Sequence, residues 1–231
     1  IHISIPLEGI NMSKAELVCC FPIVRTDLIG RALETAYKYT QDFRVFVCDQ
    51  SIEGMDKELI KKYVHYYIRP YHNLGFAKAA NEMMWTAYRQ GYPYIAVCND
   101  DIEYMNSRWF QGIKDTFNQD ERIIVASPMS PKEGAWGYGL TAENNDIWVP
   151  SKEGMVRDPA DPRSVLPEGI TYKEDFTQED YDYLLNNHPW WNKGSLNDGN
   201  AAWHPVFKRE TLEKVGYFDE RFLYGGGEDY D

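Results

Sequence analysis

The sequence predicts an α/β fold, a mostly parallel sheet flanked by helices, and three observations carry that expectation. Short apolar runs alternate with amphipathic helical stretches at intervals of about 25 residues, the spacing of βαβ units with right-handed crossovers. Polar residues recur where those runs end, as in "YIAVCNDD", where the apolar run from Tyr94 to Cys98 meets Asn99-Asp100-Asp101. The chain of 231 residues is long enough for one large α/β domain with a long insertion.

Taken in order, "ELVCCFPIV" reads as a buried first strand, followed by a helix in "DLIGRALETAYKYT" with Thr26 or Asp27 available as N-cap. "FRVFVCDQS" is a second strand closed by Asp49, and the charged segment from Asp56 to Tyr63 is helical. "HYYIRP" is a short third strand stopped by Pro70, and "GFAKAANEMMWTAYRQG" is a helix ended by Gly91. The run from Tyr94 is the fourth strand, a helix begins near Ser107, and "RIIVASP" supplies a fifth strand. From Pro131 to about Leu196, Gly, Pro, Asn, Asp and aromatics replace periodicity. A structureless loop of that length is improbable, so short strands or helices around aromatic side chains are expected there. Order returns in "DGNAAWHPVFKRETLEKVGYFDERF", a strand-like stretch and then a helix from Lys208 to Val215. The organisation expected is a single domain over 1–231 in two halves, 15–130 and 131–231. The chain starts at Ile1 and stops at "GGGEDYD", just after a charged motif, so part of a longer protein is expected.

Composition removes several function classes. The net charge of −12 and the absence of a polybasic arm argue against a sequence-independent hold on nucleic acid or an anionic membrane surface. No apolar segment approaches the ~18 residues that span a bilayer, so this segment is not expected to insert into a membrane. Cys19, Cys20, Cys48 and Cys98 all fall within predicted strands, with no Cys-x-x-Cys pair. Buried free thiols fit a reducing compartment and a cytoplasmic location.

Motif chemistry narrows the field further. The turn after the first strand is Pro22-Ile23-Val24-Arg25-Thr26, without the glycines that let a backbone approach a pyrophosphate, and neither a P-loop nor a Gly-x-Ser-x-Gly elbow occurs. What remains is a row of polar residues at strand ends: Arg25, Asp49, Asn73 with Gly75, and Asn99 to Asp101. In a parallel sheet all of these share one edge, the edge where such sheets bind ligands. Singly, each is as easily a turn former, a cap or a solvated charge. Jointly they describe a site in which an acidic protein binds a diphosphate through a cation held by Asp101, assisted by Arg25, with Asp49 placed to meet a base or ribose donor.

"CFPIVRTDLIGRALETA", "VFVCDQS", "HNLGFAKAANEMM", "VCNDDIEYMNSRWF" and "VGYFDERFLYGGGEDYD" come in an order that resembles glycosyltransferase family 2 and its relatives, which have the GT-A fold. The resemblance spans roughly Leu17 to Ser127 and the last few tens of residues. It implies transfer of a hexosyl or deoxyhexosyl group from a nucleotide-diphosphate sugar, with UDP or dTDP favoured and GDP allowed, to a glycan or other hydroxyl acceptor. It implies Mn²⁺ or Mg²⁺ as cofactor. It places Pro22, Arg25, Asp49, Asn73, Gly75, Lys78, Asn99 and Asp100 on the donor, with Asn99 and Asp101 at the outer positions of the Asp-x-Asp motif and Asp49 on the base. Asn99 departs from the Asp of many members, which leaves Asp101 as the main metal ligand. The Glu228-Asp229 pair would supply the general base, with Asp229 deprotonating the acceptor for single displacement with inversion.

Gly225-Gly226-Gly227 is either a hinge for a closing loop or an exit from the domain. Trp190-Trp191, in a setting of Pro, Asn and His, is hard to bury on both sides and is assigned to the acceptor site. In some retaining relatives of the fold a downstream histidine completes the metal site, which makes His204 a candidate ligand beside its structural role. A sugar-1-phosphate nucleotidyltransferase and a catalytically silent sugar-nucleotide or glycan-binding module are the rival readings. The first lacks its expected glycine-rich turn; the second is favoured by Asn99 and opposed by the Glu228-Asp229 pair.

Overall fold

A computed structural model describes residues 15–104, 106–128, 148–151, 154–157 and 204–221. The chain divides into two compact units, one of Ile1–Pro128 with Asp198–Asp231 and one of Met129–Asn197.

The first unit is built on β1 (Leu17–Ile23), α1 (Ile29–Tyr39), β2 (Phe43–Asp49), α2 (Lys57–Tyr63), β3 (Tyr66–Ile68), α3 (Phe76–Arg89), β4 (Tyr94–Val97), α4 (Trp109–Phe117) and β5 (Val125–Ala126). In the second unit β6 (Trp148–Ser151) and β7 (Gly154–Arg157) pair as an antiparallel hairpin. The chain returns to the first unit through β8 (Val206–Lys208) and α5 (Arg209–Val215).

Six strands form one sheet in the order β3-β2-β1-β4-β8-β5. β1 pairs in parallel with β2 and with β4, and β2 pairs in parallel with β3. The fifth strand expected from "RIIVASP" is not a neighbour of β4, because β8 lies between them and pairs antiparallel with both. β1 is almost wholly buried because helices cover both faces of the sheet, and its side chains alternate between two cores. Leu17, Cys19, Phe21 and Ile23 pack with Ile29, Ala32 and Leu33 of α1 and with Trp109, Ile113 and Phe117 of α4. Val18 and Cys20 pack on the other side with Ala80, Met83, Met84 and Ala87 of α3 and with Leu212 of α5. Pro22 lies past the last β1–β4 pair, Cys20 with Val97, so its missing N–H interrupts no ladder between those strands.

The helix boundaries hold two surprises. Leu28, not Thr26 or Asp27, is the N-cap of α1 and gives no side-chain cap, because the Asp27 carboxylate is turned toward Arg25, 3.9 Å from its Nε. Asp56 caps α2 through Oδ1, which accepts from the backbone N–H groups of Glu58 and Leu59 at 2.9 and 3.1 Å. All four cysteines are free and buried, three of them within β1 and β2 and Cys98 one residue past the end of β4.

Candidate functional site

The strand order runs outward in opposite directions from β1, toward β2 on one side and β4 on the other, so the crevice beyond the carboxyl ends of β1 and β4 is the topological switch point of the sheet. The loop leaving β1 brings Arg25 there, and the turn leaving β4 brings Asn99, Asp100 and Asp101. The guanidinium lies among carboxylates: Nε is 3.7 Å from Asp100 Oδ2 and Nη2 is 3.6 Å from Asp101 Oδ2. The Asp100 side chain is only 13% exposed, that of Asp101 51%. Burial raises the Asp100 carboxyl above its ordinary range; Arg25 opposes the shift, and the neighbouring Asp101 adds to it. The most accessible carboxylate of the β4 turn is that of Asp101.

At the end of β2 the arrangement is different. Asp49 is fully buried. Its Oδ1 accepts from the backbone N–H of Ser51 at 3.0 Å and from Ser51 Oγ at 2.5 Å. Its Oδ2 accepts from the Met55 N–H at 2.6 Å and from the Tyr67 hydroxyl at 2.5 Å. Burial alone would raise this carboxyl, but the bonds from Ser51, Tyr67 and Met55 outweigh it and hold the pKa below the usual value. Four donors fill the acceptor capacity of a carboxylate. Asp49 has a loop-forming role in this structure: it folds residues 50–55 around itself. Arg69, from the end of β3, fastens the same loop by donating to the carbonyls of Ser51 and Ile52 at 3.4 and 2.9 Å. It lies so close over Gly54, at φ +85°, that a Cβ there would meet Nη1 at 1.5 Å.

Asn73 and Gly75 form the turn into α3. Asn73 Oδ1 accepts from the Gly75 N–H at 2.8 Å, and Gln50 Oε1 reaches across from β2 to accept from the Leu74 N–H at 2.6 Å. Lys78 is exposed in the first turn of α3, and Pro22 is half-buried one residue before the end of β1. Pro22, Arg25, Asp49, Asn73, Gly75, Asn99, Asp100 and Asp101 thus all lie at or near one edge of the sheet.

His204 stands apart. It is 1% exposed, shares a 2.6 Å hydrogen bond between its Nε2 and the Tyr104 hydroxyl, and packs edge-on against the rings of Tyr104 and Trp109. Burial pushes its pKa down to about 4. Among the described residues no group of three or more His, Cys, Asp or Glu side chains is placed to hold a metal ion. His204 therefore has a place in the core, among Cys98, Tyr104 and Trp109. Trp190, Trp191, Gly225 to Gly227, Glu228 and Asp229 lie outside the described residues.

Sequence reasoning missed the residues that support the site. Ser51, Gln50, Tyr67 and Arg69 shape the β2 edge. Asn81, buried on α3, grips the segment after α5: its Nδ2 donates to the Phe218 carbonyl at 2.8 Å and to Glu220 Oε1 at 3.2 Å, and its Oδ1 accepts from the Phe218 N–H at 3.1 Å. A polar residue on the apolar face of "FAKAANEMM" was the available signal.

No family model matches the chain, and no curated protein matches it. Solved structures do. A mannosyltransferase from Pyrobaculum calidifontis, PcManGT, in complex with GDP-Man and Mn²⁺, superposes with a TM-score of 0.52 at 13% identity over 94% of this chain. GalNAc-T7 with UDP, GalNAc and Mn²⁺ superposes with a TM-score of 0.53 at 12% identity, again over 94% of this chain. The chain spans 50% and 40% of the lengths of those two proteins. The fold is GT-A: a mixed, mostly parallel six-stranded sheet flanked by helices.

Proposed function

We propose that the protein is a metal-dependent glycosyltransferase that moves a sugar from a nucleotide-diphosphate donor to a hydroxyl acceptor with inversion. The observation that carries this reading is the meeting of Arg25, Asp100 and Asp101 at the switch point of a GT-A sheet, where a diphosphate must be received by an otherwise acidic protein. The solved structures of similar fold hold Mn²⁺ with GDP-Man or with UDP and GalNAc, which supports both the donor class and the cation.

The residues present suit a divalent cation. Asp100 and Asp101 offer hard oxygen donors on one turn, and Mg²⁺ or Mn²⁺ sites of this kind take one or two carboxylates and complete their shell from phosphate and water. When bound, the cation neutralises the leaving diphosphate. Arg25 adds a second positive charge at the same place, and the loop folded around Asp49 forms the wall at the end of β2. Glu228 and Asp229 carry the proposed base function, Asp229 taking the acceptor's proton, and Trp190-Trp191 offers ring faces for an acceptor sugar.

Calorimetric titration of UDP, dTDP and GDP with and without Mn²⁺ tests the donor reading. Asp101→Ala is expected to abolish the metal-dependent part of nucleotide binding with the fold intact, because Asp101 is exposed beyond a strand end. Unchanged metal-dependent affinity would remove Asp101 from the site. Asp229→Asn is expected to leave donor affinity nearly unchanged and to slow transfer by about 10²- to 10⁴-fold, the contribution of a positioned base. Wild-type transfer by that variant, or a product that keeps the donor's anomeric configuration, would overturn inversion through Asp229.

A further inference from the structure

The acidic turn after β4 is held from behind by a buried polar cluster that touches none of its carboxylates. Cys98, at its near end, is tied to β1 by a backbone bond, its N–H donating to the Cys20 carbonyl at 2.8 Å. Tyr104, at its far end, is 5% exposed and is fixed in two ways: its N–H donates to Thr35 Oγ1 of α1 at 3.2 Å, and its hydroxyl shares the 2.6 Å bond with His204. Cys98 Sγ completes the group, 3.5 Å from His204 Nε2 and 3.6 Å from the Tyr104 hydroxyl. Arg31 of α1 adds an ion pair to Glu103, Nε to Oε1 at 2.7 Å. His204 itself is set beside β4, since the following residue, Pro205, accepts from the Val97 N–H at 2.9 Å.

We infer that Tyr104 and His204 are a positioning pair: their buried hydrogen bond fixes the far end of the 99–104 turn and thereby sets where the Asp101 carboxylate stands. This rests on the reading of Asp101 as the cation's carboxylate. Only five residues lie between Cys98 and Tyr104, so with both ends anchored the turn has few conformations available. Freeing one end restores backbone entropy that a cation and a diphosphate must then remove on binding. The same geometry gives His204 a role that requires no contact with metal, and it ties the strand returning from the second unit's sequence to the turn that meets the donor.

The test uses MnCl₂ with UDP as the binding probe, uridine as a probe without phosphate, and four variants of the whole chain. Tyr104→Phe removes only the hydroxyl, and it is expected to weaken Mn²⁺-dependent UDP binding by about 5-fold or more through loss of preorganisation while leaving uridine binding unchanged. Phe117→Leu disturbs the same core two turns further along α4 than Trp109, where the ring stacks on Tyr94 with centroids 5.9 Å apart, and it touches neither ring of the pair. It is expected to lower Tm while leaving Mn²⁺-dependent UDP affinity within about 2-fold, as a stability effect alone would. His204→Gln retains an amide able to bond the Tyr104 hydroxyl and is expected to bind Mn²⁺ and UDP nearly as the wild type does. Wild-type affinity in Tyr104→Phe, or equal weakening in Tyr104→Phe and Phe117→Leu, would overturn the inference. So would complete loss in His204→Gln with none in Tyr104→Phe, the signature of a metal ligand. Asp101→Ala separates this from failure of the underlying reading: if it loses metal-dependent binding while Tyr104→Phe does not, only the positioning role fails, whereas if it keeps that binding, both fall.

Discussion

Asp49 shows how a carboxylate at a strand end divides its duty between structure and ligand. Its four protein donors stabilise the charged form, and the depressed pKa means that this stabilisation is present above the unfolded carboxyl's value of 3.8 and is lost as pH falls through the lower folded value. Asp49→Asn keeps the shape but turns an NH₂ group toward donors such as the Met55 N–H, so a loss of about 2–4 kcal/mol in chemical denaturation is expected. Tyr67→Phe removes one of the four bonds and is expected to cost about 1.5–3 kcal/mol, the value of a hydrogen bond to a charged group. If Asp49→Asn unfolds at the wild-type denaturant midpoint, the loop does not depend on this carboxylate. The place of Asp49 at the end of a strand was legible from "FRVFVC", but its partners were not. Tyr67 arrives from the next strand, 18 positions along, and nothing in the spacing of "HYYIRP" announces which tyrosine faces inward.

At the scale of elements, the strands and helices of the first unit were readable because long apolar runs and strong helical periodicity survive any tertiary context. The termini were less so: the cap of α1 failed because Asp27 had a charged partner within reach, a competition that the sequence does not rank. The place of β8 in the sheet was also hidden, since antiparallel insertion between β4 and β5 is a long-range pairing. Of the candidate site, the shared edge was legible and the supporting side chains were not. Asn81 illustrates the latter. It reads both the N–H and the carbonyl of Phe218 and so joins α3 to the segment after α5 across 137 positions. Asn81→Ala leaves both Phe218 groups without that partner, and a loss of about 1–3 kcal/mol is expected. Hydrogen exchange should show the loss of protection at the Phe218 amide, and full protection there would rule out this link.

For the molecule as a whole, two histidines contribute to the response to acid, the buried His204 and the half-buried His65. Burial pushes His204 down to about 4 from 6.5, and burial together with the Arg44 charge does the same to His65. Between those values the unfolded chain takes up protons that the folded chain refuses, so stability is full above pH 6.5 and declines as pH falls toward 4. The slope is at most about 1.4 kcal/mol per pH unit for each histidine. Denaturation midpoints at pH 7, 5.5 and 4.5 check the sign, and His204→Gln should remove about half of the dependence. The strand order carries one more consequence, for how the chain is made. β4 gains its second neighbour only when Ala96 meets Val206, about 110 residues later, and β5 pairs with that same late strand. During synthesis a four-stranded parallel sheet can therefore assemble early with one apolar edge open, and it stays open until Val206 to Lys208 have left the ribosome. In that interval the nascent protein offers a strand template to its neighbours, so its yield should depend on translation speed and on chaperone capacity more steeply than its final stability would suggest.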